Sequence, residues 1–403
     1  MATKRTDSKK RNLKTGEGQR EDGRYYYRYT DLLGKRKMVY ALTLADLREK
    51  EKRIARDLED GIDSEKGEMT LNELFDLYMG TKTKLKDNTR RNYHVIWNSY
   101  VKETDLGEMK ISAIRNVHIL NFYGKMSKED FSAGTQQNVH MLLNAMFKMA
   151  VKSDYIRKNP ADGAAKEISG KRKERKALTR KEQAILMNFV EESSTYKVYW
   201  PLLTVFLNTG LREGELCGLR WKDVDFKEGV IHVRQQLLYR NYGDGYKYHL
   251  QSLKTSCSMR DIPITAECRK ALKMQREYDL LLNIKRQEVE GVRDFVFINQ
   301  EGKPNVNQRL YTLFKSIVRK YNAGEMERAK KEKRDPVLLP YFSCHILRHC
   351  FASRMAESGI EPKTLQLLMG HTDIGTTMNI YTNLDFEEVK KQVANAEKYM
   401  NVV

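Results

Sequence analysis

The sequence predicts a multidomain, mainly α chain with small β elements. It divides into an N-terminal small β-sheet plus helix module, a helical bundle, and a helical domain interrupted by a three-stranded antiparallel sheet. Three observations lead there. At 403 residues the chain has length for two or three domains, each able to bury a core. Apolar residues recur at helical spacing from Thr70 to Val151 and again beyond Thr179, whereas aromatic and β-branched runs with turn residues are confined to the first sixty residues and to Val230–Ile264.

Taken in order, Arg24–Thr30 and Lys37–Leu42 are strand-like runs joined by a turn at Leu33-Gly-Lys35, a hairpin preceded by a weaker strand between Asn12 and Arg20. Ala45–Leu58 is charged and helical, with Leu47, Ile54 and Leu58 on one stripe. So small a sheet buries little, which points to work done on its basic surface. Thr70-Leu-Asn-Glu73 is a capping box opening a helix. Asn88–Val101, Arg115–Met126 and Thr135–Val151 follow as amphipathic helices, the last stopped by Asn159-Pro160. Ala164–Ala177 is basic and aperiodic, an exposed linker. Thr179-Arg-Lys-Glu182 is a second capping box. Val230–Leu238, a Tyr242–Gly245 turn, Tyr246–Leu253 and Met259–Ile264 read as a three-stranded meander with Lys254 in its second turn. Ala323–Asp335 is a charged insertion, an extended helix or a loop. The expected boundaries are residues 1–65, 69–162, a linker at 163–177, and 178–403.

Charge narrows the partner. Lysine and arginine total 73 against 54 acidic residues, a net +19, and the excess clusters: the first 37 residues hold twelve basic and five acidic side chains, and Lys171-Arg-Lys-Glu-Arg-Lys176 is a second cluster. That favours a polyanion over a merely solvated surface. The start has no apolar core of a signal peptide, and no apolar run approaches the ~18 residues of a membrane span. Five cysteines, odd in number and without a paired framework, suit a reducing cytoplasm.

Chemistry concentrates near the C-terminus in His345-Ile-Leu-Arg348-His349, Gly370-His371 and Tyr381, with Arg212 upstream in Thr209-Gly-Leu-Arg212-Glu-Gly-Glu215. Arginine's fork fits two phosphate oxygens and keeps its charge. A tyrosine hydroxyl, with a free pKa of ~10, attacks well only where neighbours stabilise the developing charge. His345 and Arg348 share a helix face. Gly210 suits a sharp turn before Arg212, and Glu215 stands one turn on, placed to orient the guanidinium. Pro362–Met369 is a helix that Gly370 ends, so His371 projects from the next turn. Singly, each has an ordinary reading as a surface pair or a structural histidine. Cys344 and Cys350 add a zinc alternative, but four ligands within seven helical residues do not converge tetrahedrally. Jointly, two arginines, two imidazoles and a tyrosine can hold, neutralise and attack a phosphodiester without a metal. The absence of a GxxxxGK[ST] loop and of clustered carboxylates leaves no cofactor expected.

These segments, with Leu368-Met-Gly-His371 and Thr376-Thr-Met-Asn-Ile-Tyr381-Thr, resemble the tyrosine recombinases over almost the whole chain. The stretch from Lys14 to Tyr26 resembles in particular the arm-bearing integrases of Gram-positive conjugative transposons (integrative and conjugative elements). The resemblance implies the tyrosine recombinase fold, with 1–65 an arm-site DNA-binding module, 69–162 a core-binding domain and 178–403 the catalytic domain. It implies excision and integration of a mobile element through a 3′-phosphotyrosyl intermediate and a Holliday junction, without metal or ATP. Arg212 and Arg348 would clamp the scissile phosphate. His345 and His371 would bond it or move protons, Lys254 would protonate the leaving 5′-oxygen, and Tyr381 would be the nucleophile. Double-stranded DNA at crossover and separate arm sites, self-association from dimer to tetramer on DNA, and an accessory excision protein are the implied partners, with no membrane. Arg24, Tyr26, Arg28, Lys35, Arg36 and Lys37, with Lys171, Arg172 and Lys173, are the expected DNA contacts. The terminal stripe Phe386, Val389, Val393, Ala396 and Met400 packs in cis or on a neighbouring subunit. Two departures stand out: the turn from Leu253 to Arg260 lacks the usual glycine, and the His371–Tyr381 interval is one residue longer than in many relatives. A type IB topoisomerase and a non-catalytic DNA-binding regulator are the alternative readings.

Overall fold

The computed structural model describes residues 5–32, 34–63, 66–168, 177–242, 245–253 and 256–382, with 390, 393 and 394. The chain forms two units, Met1–Lys173 and Glu174–Val403.

In the first unit, β1 (Glu17–Gln19), β2 (Tyr25–Thr30) and β3 (Arg36–Ala41) form an antiparallel sheet in register Tyr25↔Ala41 to Thr30↔Arg36. Period-two alternation turns Tyr25, Tyr27, Val39 and Ala41 onto α1 (Leu44–Glu59), which Thr43 caps by accepting from the Asp46 amide. Four buried apolar residues make a slight core. Buried polar groups supplement it: the Tyr25 hydroxyl donates to Asp7 at 2.9 Å, and Arg48 bonds the buried Glu17 at 2.9 Å.

Next come α2 (Leu71–Thr81), α3 (Asp87–Tyr100), α4 (Asp105–Glu108), α5 (Asn116–Lys128) and α6 (Ala133–Lys152). The Thr70/Glu73 capping box is present, and Phe75 stacks on Trp97 at 4.4 Å in the bundle core. One expectation needs correction. α6 ends at Lys152, well before Asn159-Pro160, because Ser153 closes it on the Met149 and Val151 carbonyls and Asp154 turns left-handed at φ 57°. Arg157 then bonds Asp57 at 2.6 Å and Asp60 at 2.7 Å, tying the bundle to the end of α1.

The second unit runs α7 (Arg180–Glu192), α8 (Trp200–Thr209), α9 (Glu213–Cys217), β4 (Val224–Asp225), β5 (Val230–Val233), β6 (Gln235–Asn241), β7 (Tyr246–Ser252), β8 (Arg260–Pro263), α10 (Ala266–Leu281), α11 (Asn307–Glu332), α12 (Cys344–Glu357), α13 (Pro362–Met369) and α14 (Ile374–Tyr381). α8 is apolar on nearly every face and is the axis of the core, beside Phe295, Phe297 and Phe314. An antiparallel three-stranded sheet is present, but not as the expected meander. Its order is β4-β5-β8, while β6 and β7 form a separate hairpin. The run read as one strand breaks at Arg234, whose guanidinium bonds the Val233 and Arg260 carbonyls and leaves its own carbonyl to the Leu253 amide. The charged insertion is the end of the 26-residue α11, closed at Lys333 (φ 52°) by Arg334 folding back onto Glu325. Of the terminal apolar stripe, only Val393 lies among the described residues, where it is exposed.

Candidate active site

Two helix ends build the site. α8 stops at Gly210 (φ 58°), where a side chain would also collide with the Phe351 ring, and the chain turns to present Arg212 as the N-cap of α9. α13 stops likewise at Gly370 (φ 61°) and presents His371. Both ends leave backbone carbonyls without helical partners. Arginines fill them. Three consecutive carbonyls at the end of α13 each take a different guanidinium: Leu368 from Arg260 Nε at 2.6 Å, Met369 from Arg348 Nη2 at 2.5 Å, and Gly370 from Arg212 Nη2 at 2.7 Å. Arg348 Nη1 also donates to the Gly210 carbonyl at 2.5 Å. Each arginine therefore pins the turn that carries another member of the site.

One carboxylate holds the cluster. Glu215, fully buried, accepts from Arg212 Nη1 at 2.8 Å, from the Arg212 amide at 2.8 Å, and from both η-nitrogens of Arg260 at 3.1 and 2.8 Å. Burial alone would push its carboxyl up, but the bonds and charge of Arg260 and the charge of Arg212 hold it at about 2. Among the described residues Arg348 bonds neutral carbonyls alone. Burial and the charge of Arg212 pull it down toward about 9, with Glu215 opposing and Arg260 adding to the effect; it remains charged at neutral pH. Among the described residues this node sets three guanidiniums against one carboxylate, a surplus of positive charge suited to an anionic partner.

His371 Nδ1 lies 3.0 Å from Thr377 Oγ1, which leaves Nε2 for another partner. Burial, then the charges of Arg348, Arg212 and Arg260 and lastly His349, lower its pKa to about 4, so the ring is neutral near pH 7. His345 is exposed on α12 one turn before Arg348, its ring edge-on to His349 at 4.6 Å. Tyr381 ends α14 against Phe351, Leu365 and Met369, and its hydroxyl donates to the Ile360 carbonyl at 2.5 Å rather than to the arginine cluster. Burial, then Glu361, raises that phenol above its ordinary value.

The structure thus gathers Arg212, Arg348 and His371, places His345 on the helix of Arg348, and keeps the Tyr381 hydroxyl on another bond. Lys254, Lys171, Arg172 and Lys173 lie outside the described residues. In the N-terminal sheet Arg24, Tyr26, Arg28 and Arg36 share the solvent face, the Arg28 guanidinium 5.0 Å from the Tyr26 ring. Lys37, paired with Tyr29, falls on the opposite face, and Lys35 is exposed in the turn. Cys344 and Cys350 of the zinc alternative are buried in the apolar core, where burial pushes both thiols up. Arg260 was missed from the sequence: its partner Glu215 is 45 residues away, and no local pattern marks the pair.

A profile described as "Phage integrase family" matches residues 176–388. The chain belongs to that family. Residues 1–58 match the "DNA binding domain of tn916 integrase", and residues 70–127 a "Phage integrase, N-terminal SAM-like domain". The chain is 31% identical over 412 residues to the transposase from transposon Tn1545 of Streptococcus pneumoniae and to that from Tn916 of Enterococcus faecalis, covering 99% of this chain and 98% of each relative. A Tn1549 transposon integrase fragment, solved in complex with a circular intermediate DNA, superposes with a TM-score of 0.71 at 28% identity, covering 81% of this chain and 99% of that one. This phage integrase family member has the tyrosine recombinase fold and is a DNA-cleaving and -rejoining enzyme.

The depressed His371 pKa makes a prediction for this integrase. Between about 6.5 and about 4 the unfolded chain binds a proton that the folded one refuses, so this histidine's contribution to stability is complete above that window and declines as pH falls through it. The thermal midpoint of the DNA-free protein, measured at pH 7.5 and 5.0, should therefore drop further in wild type than in His371→Gln. Equal drops would show that His371 titrates normally.

Proposed function

We propose that this chain is a site-specific recombinase that excises and integrates a mobile DNA element by tyrosine-mediated strand exchange. The observation that carries the reading is the cluster of three guanidiniums around one carboxylate, with the Arg212 side chain 38% exposed at its open side. Such a site is completed by an anion, and the charge that builds on nonbridging oxygens during transfer at phosphorus makes an arginine there worth roughly 10³–10⁵ in rate.

In this reading Arg212 and Arg348 hold the scissile phosphate. His371, neutral and held by Thr377, bonds a phosphate oxygen or accepts a proton, and His345 assists from the same helix as Arg348. The Tyr381 hydroxyl leaves the Ile360 carbonyl, gives up its proton to His371 or His345, and its oxygen attacks phosphorus. The phosphorus–O5′ bond breaks, Lys254 protonates the departing oxygen, and a 3′-phosphotyrosyl ester remains. Attack by the 5′-hydroxyl of a partner strand reverses these steps, so rejoining needs no nucleotide. The DNA-bound relatives support double-stranded DNA as the partner. Exchange of strands requires protomers assembled on it, up to a tetramer, with an accessory protein biasing excision, in the cytoplasm. Residues 1–65 serve as the arm-site module, 69–162 and the linker 163–177 grip the core site, and 178–403 perform the chemistry.

Two experiments test this. Incubated with nicked suicide duplexes carrying the element's ends, the wild-type chain should form a covalent protein–DNA adduct and Tyr381→Phe should bind equally but form none. Adduct of undiminished yield in that variant would remove Tyr381 from the role. The fragment 1–65 should fold and bind arm-site duplex through the face bearing Arg24, Tyr26, Arg28 and Arg36, with affinity falling steeply as salt rises. No binding at low salt would leave those residues a structural arm.

A further inference from the structure

We propose that Arg260 is a positioning residue whose guanidinium locks Glu215 to the C-terminal end of α13, fixing Arg212 and His371 relative to one another. The inference rests on the catalytic reading above. Arg260 is buried, and four of the five N–H donors of an arginine are engaged: one on the Leu368 carbonyl, two on Glu215 and one on the Ser258 carbonyl. So committed a group has little left for a substrate, and its role runs through what it holds. Glu215 reaches back to the side chain and amide of Arg212. The Leu368 carbonyl precedes by three residues the ring of His371. Ser258 belongs to the turn that follows Lys254. A single planar fork thus ties together three segments that are far apart in the chain.

Its place also explains a glycine. A Cβ on Gly370 would lie 3.2 Å from Arg260 Nη1 and 3.1 Å from the Cys257 carbonyl, so the α13 turn is packed directly on this guanidinium. Lysine keeps the charge but has no fork. It cannot hold both Glu215 oxygens and the Leu368 carbonyl together.

The test is single-turnover adduct formation on the nicked duplex, read as a rate constant and a final amplitude, with the dissociation constant measured alongside. Arg260→Gln should slow cleavage about a hundredfold, the scale of a 1 Å misplacement of reacting groups, with amplitude kept and affinity within about twofold. In a Glu215→Gln background the same change should cost less than about threefold, because the link it breaks is already absent. If Arg260→Gln does not fold, Arg260→Lys decides: a slower rate at full amplitude supports the proposal, and a wild-type rate overturns it. An unchanged rate in Arg260→Gln, a loss of amplitude alone, or costs that multiply fully in the double variant would each overturn it. Failure of the wild-type chain to form adduct would be a different result, removing the catalytic reading itself and this proposal with it.

Discussion

Glu215 is the constraint on which the site depends. A carboxylate buried without partners is expensive, and one bonded by two guanidiniums and a backbone amide is not. Meeting that requirement draws Arg212 from the end of α8 and Arg260 from the start of β8 to one point. Both arginines then have spare donors, and the carbonyls at the end of α13, which have no helical partners, take them. Arg348 completes that end from α12. The positions of Gly210, Gly370 and His371 follow from these bonds, since each lies on a turn that one of the guanidiniums closes.

The same arrangement sets the electrostatics. Burial first, and then the positive charge that Glu215 leaves uncompensated, strain Arg348 in its charged form and keep His371 neutral. A bound phosphate would relieve both. In the proposed mechanism, binding energy and transition-state stabilisation would share a source, the charge excess. Tyr381 stands apart from it, its hydroxyl on the Ile360 carbonyl. Moving that hydroxyl toward the arginines exchanges one hydrogen bond for proximity to a field that favours the phenolate, which offsets the burial that otherwise raises its pKa.

Much of this was legible in the sequence. Capping boxes at Thr70 and Thr179 and the apolar period of Val139, Leu142, Met146 and Ala150 are local signals, and α2, α6 and α7 formed where they predicted. Spacing placed Glu215 against Arg212 and His371 beyond a glycine stop. What failed was long-range or set by competing local chemistry. Pro160 looked like the stop for α6, but Ser153 and the left-handed Asp154 end the helix first. The break at Arg234 depends on bonds to Arg260, 26 residues on. Arg260 itself looked like one more basic residue in a basic chain, because its meaning lies in a buried carboxylate that belongs to another element. The bond from Tyr381 to Ile360 has no sequence signature at all.

The central claim is that the guanidinium cluster acts on the negative charge of a phosphodiester, and substrate charge tests it directly. The measurement is the single-turnover cleavage rate of wild type and Arg212→Ala on an ordinary duplex and on one whose scissile phosphate is a methylphosphonate, which lacks the anionic oxygen. On the ordinary duplex the variant should be slower by roughly 10³-fold or more. On the neutral linkage the two proteins should come within about tenfold, because there is no charge left for the missing arginine to hold. An equal deficit on both substrates would contradict the account and reduce Arg212 to a residue that merely holds the fold.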